Sequence, residues 1–158
     1  MFIDRDGKGN ITGQYAAEQQ PGQEEIADDD SALLLIAGKA AKLAAIDAAA
    51  TAATVAGFAW NGATYQIDSL SQQNIAAWGS IALGVVANVP GLTWPQGFAW
   101  VTLDGAPTPF AAADFLAFAQ GAATRVRALA LNARALKTAA TSATTMQALA
   151  AVDPSKGW

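Results

Sequence analysis

The segment Gly57–Ile67, GFAWNGATYQI, sets the tightest local constraint in the chain. Two short runs of aromatic and small residues meet at Asn61-Gly62. Both central residues of a type I′ turn need positive φ, which Asn and Gly tolerate best. A two-residue turn fixes the pairs as Trp60–Ala63, Ala59–Thr64 and Phe58–Tyr65. Side chains alternate across a strand, so Phe58, Trp60, Tyr65 and Ile67 share one face, and Ala59, Thr64 and Gln66 the other. One face is large and apolar, the other small and polar. The segment is expected to be a core-facing hairpin, not a catalytic loop.

Composition explains why so much depends on this hairpin. About a quarter of the 158 residues are alanine, which favours helix but buries little area per residue. Six Phe, five Trp and two Tyr must supply most of the core. A chain of this length suits one compact domain, or one domain with an extended arm. Cysteine and histidine are both absent, which excludes disulfides, thiolate metal sites and nucleophile–histidine relays. The net charge is −4, and the basic cluster is limited to Arg125, Arg127, Arg134 and Lys137, so nothing calls for a nucleic-acid partner. The start, MFIDRDGKGN, lacks an apolar signal core. The tract Leu33–Phe58 carries Lys39, Lys42 and Asp47 and is too polar for a membrane span. A soluble protein with no membrane partner is expected.

The remaining elements follow from spacing and breakers. Two runs around DGKGN read as an N-terminal β-hairpin. Asp4, Asp6 and Asn10 also fall on ligand positions of a calcium loop, with Gly9 at its turn. Lys8 takes another ligand position, however, and Tyr15 stands where the bidentate glutamate belongs, so no metal site is assigned. The stretch QQPGQEEIADDD reads as an acidic linker in which Asp28, Asp29, Asp30 and Ser31 offer caps to a helix. In that helix, Ala32–Val55, the residues Ile36, Leu43, Ile46, Ala50 and Ala53 form a small seam at three-four spacing. The seam suits either packing on its own domain or self-association in an oligomer, and Lys39 interrupts it. The run Asp68–Ser71 offers N-caps to a helix Gln72–Asn88 with Ile75, Trp78 and Ala82 on its apolar side. Phe98–Leu103 reads as a third strand closed by Asp104-Gly105, followed by a Pro-bounded turn at Ala106–Pro109. A helix then runs from near Ala111 to about Thr138, with a break at Gly121, and a short one spans Thr141–Val152. The fold class is α+β. A small antiparallel sheet, made of hairpin 57–67 plus strand 98–103, is packed by helices, with a long Ala-rich helix and an N-terminal hairpin arm. The expected divisions are an arm and acidic linker over 1–30, a connecting helix over 31–56, and a compact α+β domain over 57–158.

This order of features resembles an uncharacterised domain family of tail-fibre and tail-fibre-assembly proteins of tailed bacteriophages. The residues that carry it are Gly57, Asp68, Trp100, Asp104-Gly105, Leu149 and the closing Gly157-Trp158. It covers roughly residues 40–158, and MFIDRDGKGNITGQYAA is similar to the start of small phage tail proteins. The resemblance supplies no catalytic, cofactor-binding or metal-binding residues. It implies a virion protein, assembled in the host cytoplasm, that acts as an interaction module on a tail fibre or baseplate protein. The expected partner contacts are Phe2, Ile3, Ile11 and Tyr15 of the arm, together with Trp94 and Trp158. An alternative is a receptor- or glycan-binding module at a fibre tip, using Trp94 in the Pro-Gly loop and Trp158 at the terminus. A carboxylate-based glycosidase would need two acids about 5–9.5 Å apart across a cleft. Asp68, Asp104 and Asp114 each have a simpler role as helix cap, tight turn and first-turn acid, so no enzyme is expected.

Overall fold

The computed structural model describes residues 1–27 and 30–158, so Asp28 and Asp29 of the expected cap lie outside the described residues. The architecture is α+β. In chain order the elements are β1 (Phe2–Arg5), β2 (Ile11–Tyr15), β3 (Glu24–Glu25), α1 (Ser31–Val55), β4 (Phe58–Trp60), β5 (Ala63–Tyr65), α2 (Ser69–Val86), β6 (Ala99–Val101), β7 (Pro107–Pro109), α3 (Ala112–Ser142) and α4 (Met146–Ala150). These fall into two compact units, Met1–Ala45 with Leu136–Pro154, and Ile46–Ala135 with Ser155–Trp158.

In the first unit the arm is a three-stranded antiparallel sheet of order β2-β1-β3. Its DGKGN turn is held by Asp6, whose carboxylate accepts the backbone N–H groups of Lys8 and Asn10 (both 2.9 Å) and the Asn10 amide (2.8 Å). That carboxylate closes its own loop, as an Asx turn does. Asp30 accepts from the Ala32 N–H at 2.8 Å at the head of α1. Within the same unit Gly38 gives room to Leu149, because a Cβ there would stand 3.0 Å from the Leu149 side chain. Lys39, which breaks the apolar seam of α1, donates to the Thr141 carbonyl, and Lys42 to the Val152 carbonyl, each at 2.8 Å. Thr141 lies in the last turn of α3, whose carbonyls have no partner within the helix, which accounts for a cation at Lys39.

The second unit is built on the hairpin. The register is Phe58↔Tyr65, Ala59↔Thr64 and Trp60↔Ala63, and the turn has φ of 46° at Asn61 and 82° at Gly62. Tyr65 and Ile67 are fully buried, Phe58 and Trp60 pack against the core, and Ala59 and Gln66 face out. Around them gather Phe110, Phe115 and Phe118, with Ile75 and Ala82 of α2 and Ala53 of α1. Asp68 caps α2 by accepting the Ser71 N–H at 2.8 Å. At the other end Asn88 adopts φ of 56°, and bonds from Asn88 N–H to Val85 and Val89 N–H to Gly84 close a Schellman motif.

Two local expectations are corrected. The helix predicted to break at Gly121 runs unbroken from Ala112 to Ser142. Gly121 instead seats aromatic rings, since a Cβ there would lie 2.9 Å from both Phe58 and Trp60. The strand expected to join the hairpin does so at one point only, where the Leu103 N–H donates to the Thr64 carbonyl at 2.7 Å. Its ladder is with β7, the Pro107–Pro109 segment expected as a turn, so two separate two-stranded sheets form. Buried Thr102 drives this pairing. Its hydroxyl accepts the Ala106 N–H at 2.9 Å and lies against the Asp104 carboxylate, closing the turn that folds β7 back on β6.

Candidate functional site

The strand-edged arm is the first candidate. Phe2 pairs with Tyr15 and Asp4 with Gly13, so Phe2, Asp4, Gly13 and Tyr15 share one face of the sheet, whereas a register shift between Asp4 and Arg5 sets Ile11 opposite Arg5. Phe2, Ile11 and Tyr15 are each half-buried. The Tyr15 ring lies across Gly13, where a Cβ would come within 2.6 Å of the phenol oxygen. The bond between Tyr15 and Asp4 pushes the phenol up from its ordinary pKa. Asp4 itself is held below the usual carboxylate range, chiefly by the Gln23 amide that donates to it at 2.9 Å. The two edges of the sheet differ. β3 is two residues long, both glutamates, and Arg5 clamps Glu24 through bonds of 2.7 and 3.1 Å. A short, charged edge discourages strand addition. β2 is five residues, ITGQY, with no charge and no proline, so its outer edge is the open one.

The other expected contacts divide. Ile3 is only 1% exposed and points to the opposite face from Phe2, so it supports the arm from within and offers nothing to a partner. Trp94 is partly buried and packs among aromatic rings. Its ring centroid sits 4.4 Å from Phe98, 5.9 Å from Trp78 and 5.8 Å from Phe115. Its indole N–H donates to the Phe110 carbonyl at 2.8 Å. Nearby aromatic rings and a waiting carbonyl outcompete exposure for an indole that can satisfy both its ring and its N–H. Trp158 is also drawn in, packing against the core of the second unit. The turn before it is held by the Asn132 amide, which donates to the Lys156 carbonyl at 2.9 Å. The Ala-rich seam is partly used within the chain, with Ile46 and Ala53 buried, whereas Ile36 stays exposed.

The three acids weighed for catalysis stand in structural places. Asp68 is the α2 cap, Asp104 bonds Thr102 in the β6–β7 turn, and Asp114 lies in the first turn of α3. Among the described residues no group of three or more acidic side chains could hold a metal ion. No helix among them is long and apolar enough to cross a membrane. Backbone N–H of Ser71 holds the Asp68 carboxyl low, as the Thr102 hydroxyl does Asp104 and the Asn10 side chain does Asp6. All three depressed carboxyls favour the folded state above the unfolded value of 3.8. That contribution is lost as pH falls through their lower folded values. Thermal melting followed by circular dichroism should therefore give a flat Tm from neutral pH to about pH 5 and a falling one below it. A Tm at pH 3 equal to that at pH 7 would contradict the assignment of these caps.

From the residues upward, the molecule is a small α+β protein with an aromatic core and an arm ending in an open strand edge. The chain belongs to the family described as a domain of unknown function (DUF4376), whose model matches residues 37–154. No curated protein and no solved structure matches it.

Proposed function

We propose that this protein is a tail structural or tail-fibre-associated protein of a tailed bacteriophage, acting as a non-enzymatic interaction module in tail assembly. The observation that carries the reading is the arm, whose uncharged five-residue edge strand carries half-buried Ile11 and Tyr15 beside half-buried Phe2. Such an edge can extend a neighbour's sheet through main-chain hydrogen bonds, with the alternate side chains giving specificity. The ordered likeness to tail-fibre-assembly proteins supplies the setting, with a fibre or baseplate protein as the partner and the virion as the location. Ile36 on α1 remains available for contact between copies. The tip-recognition alternative is weaker, because both of its tryptophans pack inward.

Quantitative mass spectrometry of purified particles tests this proposal. The chain should be present at a fixed copy number relative to the tail fibre. A variant lacking residues 1–30 loses no residue of the 46–135 unit. It should keep that unit's cooperative unfolding yet fall in copy number by about tenfold or more, the loss expected when several edge hydrogen bonds are removed. Particles without the chain, or with undiminished incorporation of the truncated form, would overturn the role given to the arm.

A further inference from the structure

The sheet formed by β6 and β7 has two edges that differ in kind. Its register pairs Ala99 with Pro109, Trp100 with Thr108 and Val101 with Pro107. Bonds from Phe110 N–H to Phe98 C=O (3.1 Å) and from Thr102 N–H to Ala106 C=O (2.9 Å) put Phe98, Trp100 and Thr102 in the hydrogen-bonded positions. The residues between them therefore turn their backbone groups away from the ladder. On β7 these are Pro107 and Pro109, which have no N–H, so that edge is closed to a further strand. On β6 they are Ala99 and Val101. No hydrogen bond among the described residues takes up their N–H or C=O groups.

The next outward residue, Leu103, does find a strand, donating to the Thr64 carbonyl of β5 at 2.7 Å. Beyond that bond the two segments part and leave a cleft of about 360 Å³ between β6 and the head of α2. Across from Ala99 and Val101 it is lined by Gln66, Asp68, Leu70 and Asn74. Two apolar side chains stand unusually bare at its rim, Val101 at 56% and Leu70 at 68% exposure. Asp68 is the one charged side chain in the lining. Its full negative charge outweighs the roughly half positive charge of the helix end it caps.

We propose that the outer edge of β6 is a docking strand for an extended peptide segment of a partner protein that carries a lysine or arginine. The segment would lie about 4.8 Å from β6, the ordinary strand spacing. Its main chain pairs with Ala99 and Val101, its apolar side chains meet Val101 and Leu70, and its cation faces Asp68. Main-chain pairing of this kind gives affinity, and the flanking side chains give selectivity. The site shares no residue with the arm and does not depend on what larger assembly the partner belongs to.

A display library of random heptapeptides, panned on the immobilised full chain, supplies the probes. Enriched peptides should alternate apolar residues with at least one Lys or Arg. Their binding should slow amide exchange at Ala99 and Val101, and should weaken about tenfold in Val101→Pro. That substitution removes an outward donor together with the exposed Val101 side chain and leaves the β6–β7 ladder bonds in place. Asp68→Asn, which keeps a capping side chain, should weaken the basic peptides and flatten the salt dependence of their binding. Failure to enrich any peptide would overturn the proposal. So would protection confined to β2 of the arm, or equal binding to Val101→Pro. Concentration-dependent protection of Ala99 and Val101 with no peptide added would identify the occupant as a second copy of this chain and overturn the partner assignment. The exchange readout uses the unaltered protein, so the test stands even if Val101→Pro fails to fold.

Discussion

Replacing Phe118 with alanine is expected to lower the unfolding free energy of the aromatic unit by about 3–5 kcal/mol, the range for deleting a buried ring. Phe118 is fully buried on α3, and its ring centroid lies 4.8 Å from Tyr65, 5.3 Å from Phe110, 5.4 Å from Phe115, 5.9 Å from Phe58 and 6.2 Å from Trp60. The ring thus joins both strands of the hairpin to the residues on either side of the α3 start. The surrounding rings are planar and stiff, so the cavity left behind collapses poorly, which favours the upper part of the range. All five tryptophans, Trp60, Trp78, Trp94, Trp100 and Trp158, lie in the same unit. Tryptophan fluorescence in urea therefore follows this unit alone. The midpoint should move down with little change in slope, which separates lost stability from an altered denatured state. Phe118→Leu, which keeps much of the volume, should cost less than half as much. Equal losses for the two variants would mean that Phe118 is not the joint described.

Hairpin, faces and helix cap are legible in the sequence because each rests on near-neighbour chemistry. Asn61-Gly62 permits only one sort of turn, the turn fixes the register, and the register fixes which rings point inward. Asp68 three residues before the Ser71 N–H is a cap by the same local logic. The features that differ from expectation depend on distant residues. Gly121 has the composition of a helix breaker, yet the space of its missing side chain is taken by rings more than sixty positions earlier, so packing overrides propensity. Pro-Thr-Pro reads as a turn by composition. It becomes an edge strand because only Thr108 faces the β6 ladder, and the two prolines sit where no N–H is needed. Lys39 is a flaw in an apolar seam until the Thr141 carbonyl, far along the chain, is placed beside it. Trp94 follows the same pattern, since a loop indole has no visible partner until the Phe110 carbonyl is brought to its N–H. The open edge of β6 is illegible for a related reason. It is a property of register between two strands, one of which is not recognisable as a strand.

Gly57→Ala should destabilise the same unit by roughly 2–4 kcal/mol, far more than one added methyl group would suggest. Two costs add there. Gly57 ends α1 with φ of 81°, a conformation that costs an L-residue roughly 1–2 kcal/mol. A Cβ built on it would also stand 2.6 Å from the Tyr65 carbonyl oxygen and 3.0 Å from the Thr64 methyl. The oxygen belongs to the backbone of β5, and the Tyr65 ring is locked in the core at 1% exposure, so it cannot swing aside cheaply. Gly62 separates the two costs. Its φ is 82°, nearly the same, but nothing lies within 4 Å of the place a methyl group would take. Gly62→Ala should therefore lose only the conformational part, about 1–2 kcal/mol. The excess of Gly57→Ala over Gly62→Ala, read from urea midpoints by tryptophan fluorescence, measures how rigidly the end of α1 is pressed on the hairpin. If the two substitutions cost the same, the close approach at Gly57 is soft. The junction between α1 and the hairpin would then be a hinge instead of a fixed joint, free to reorient the end of the helix against the hairpin it feeds.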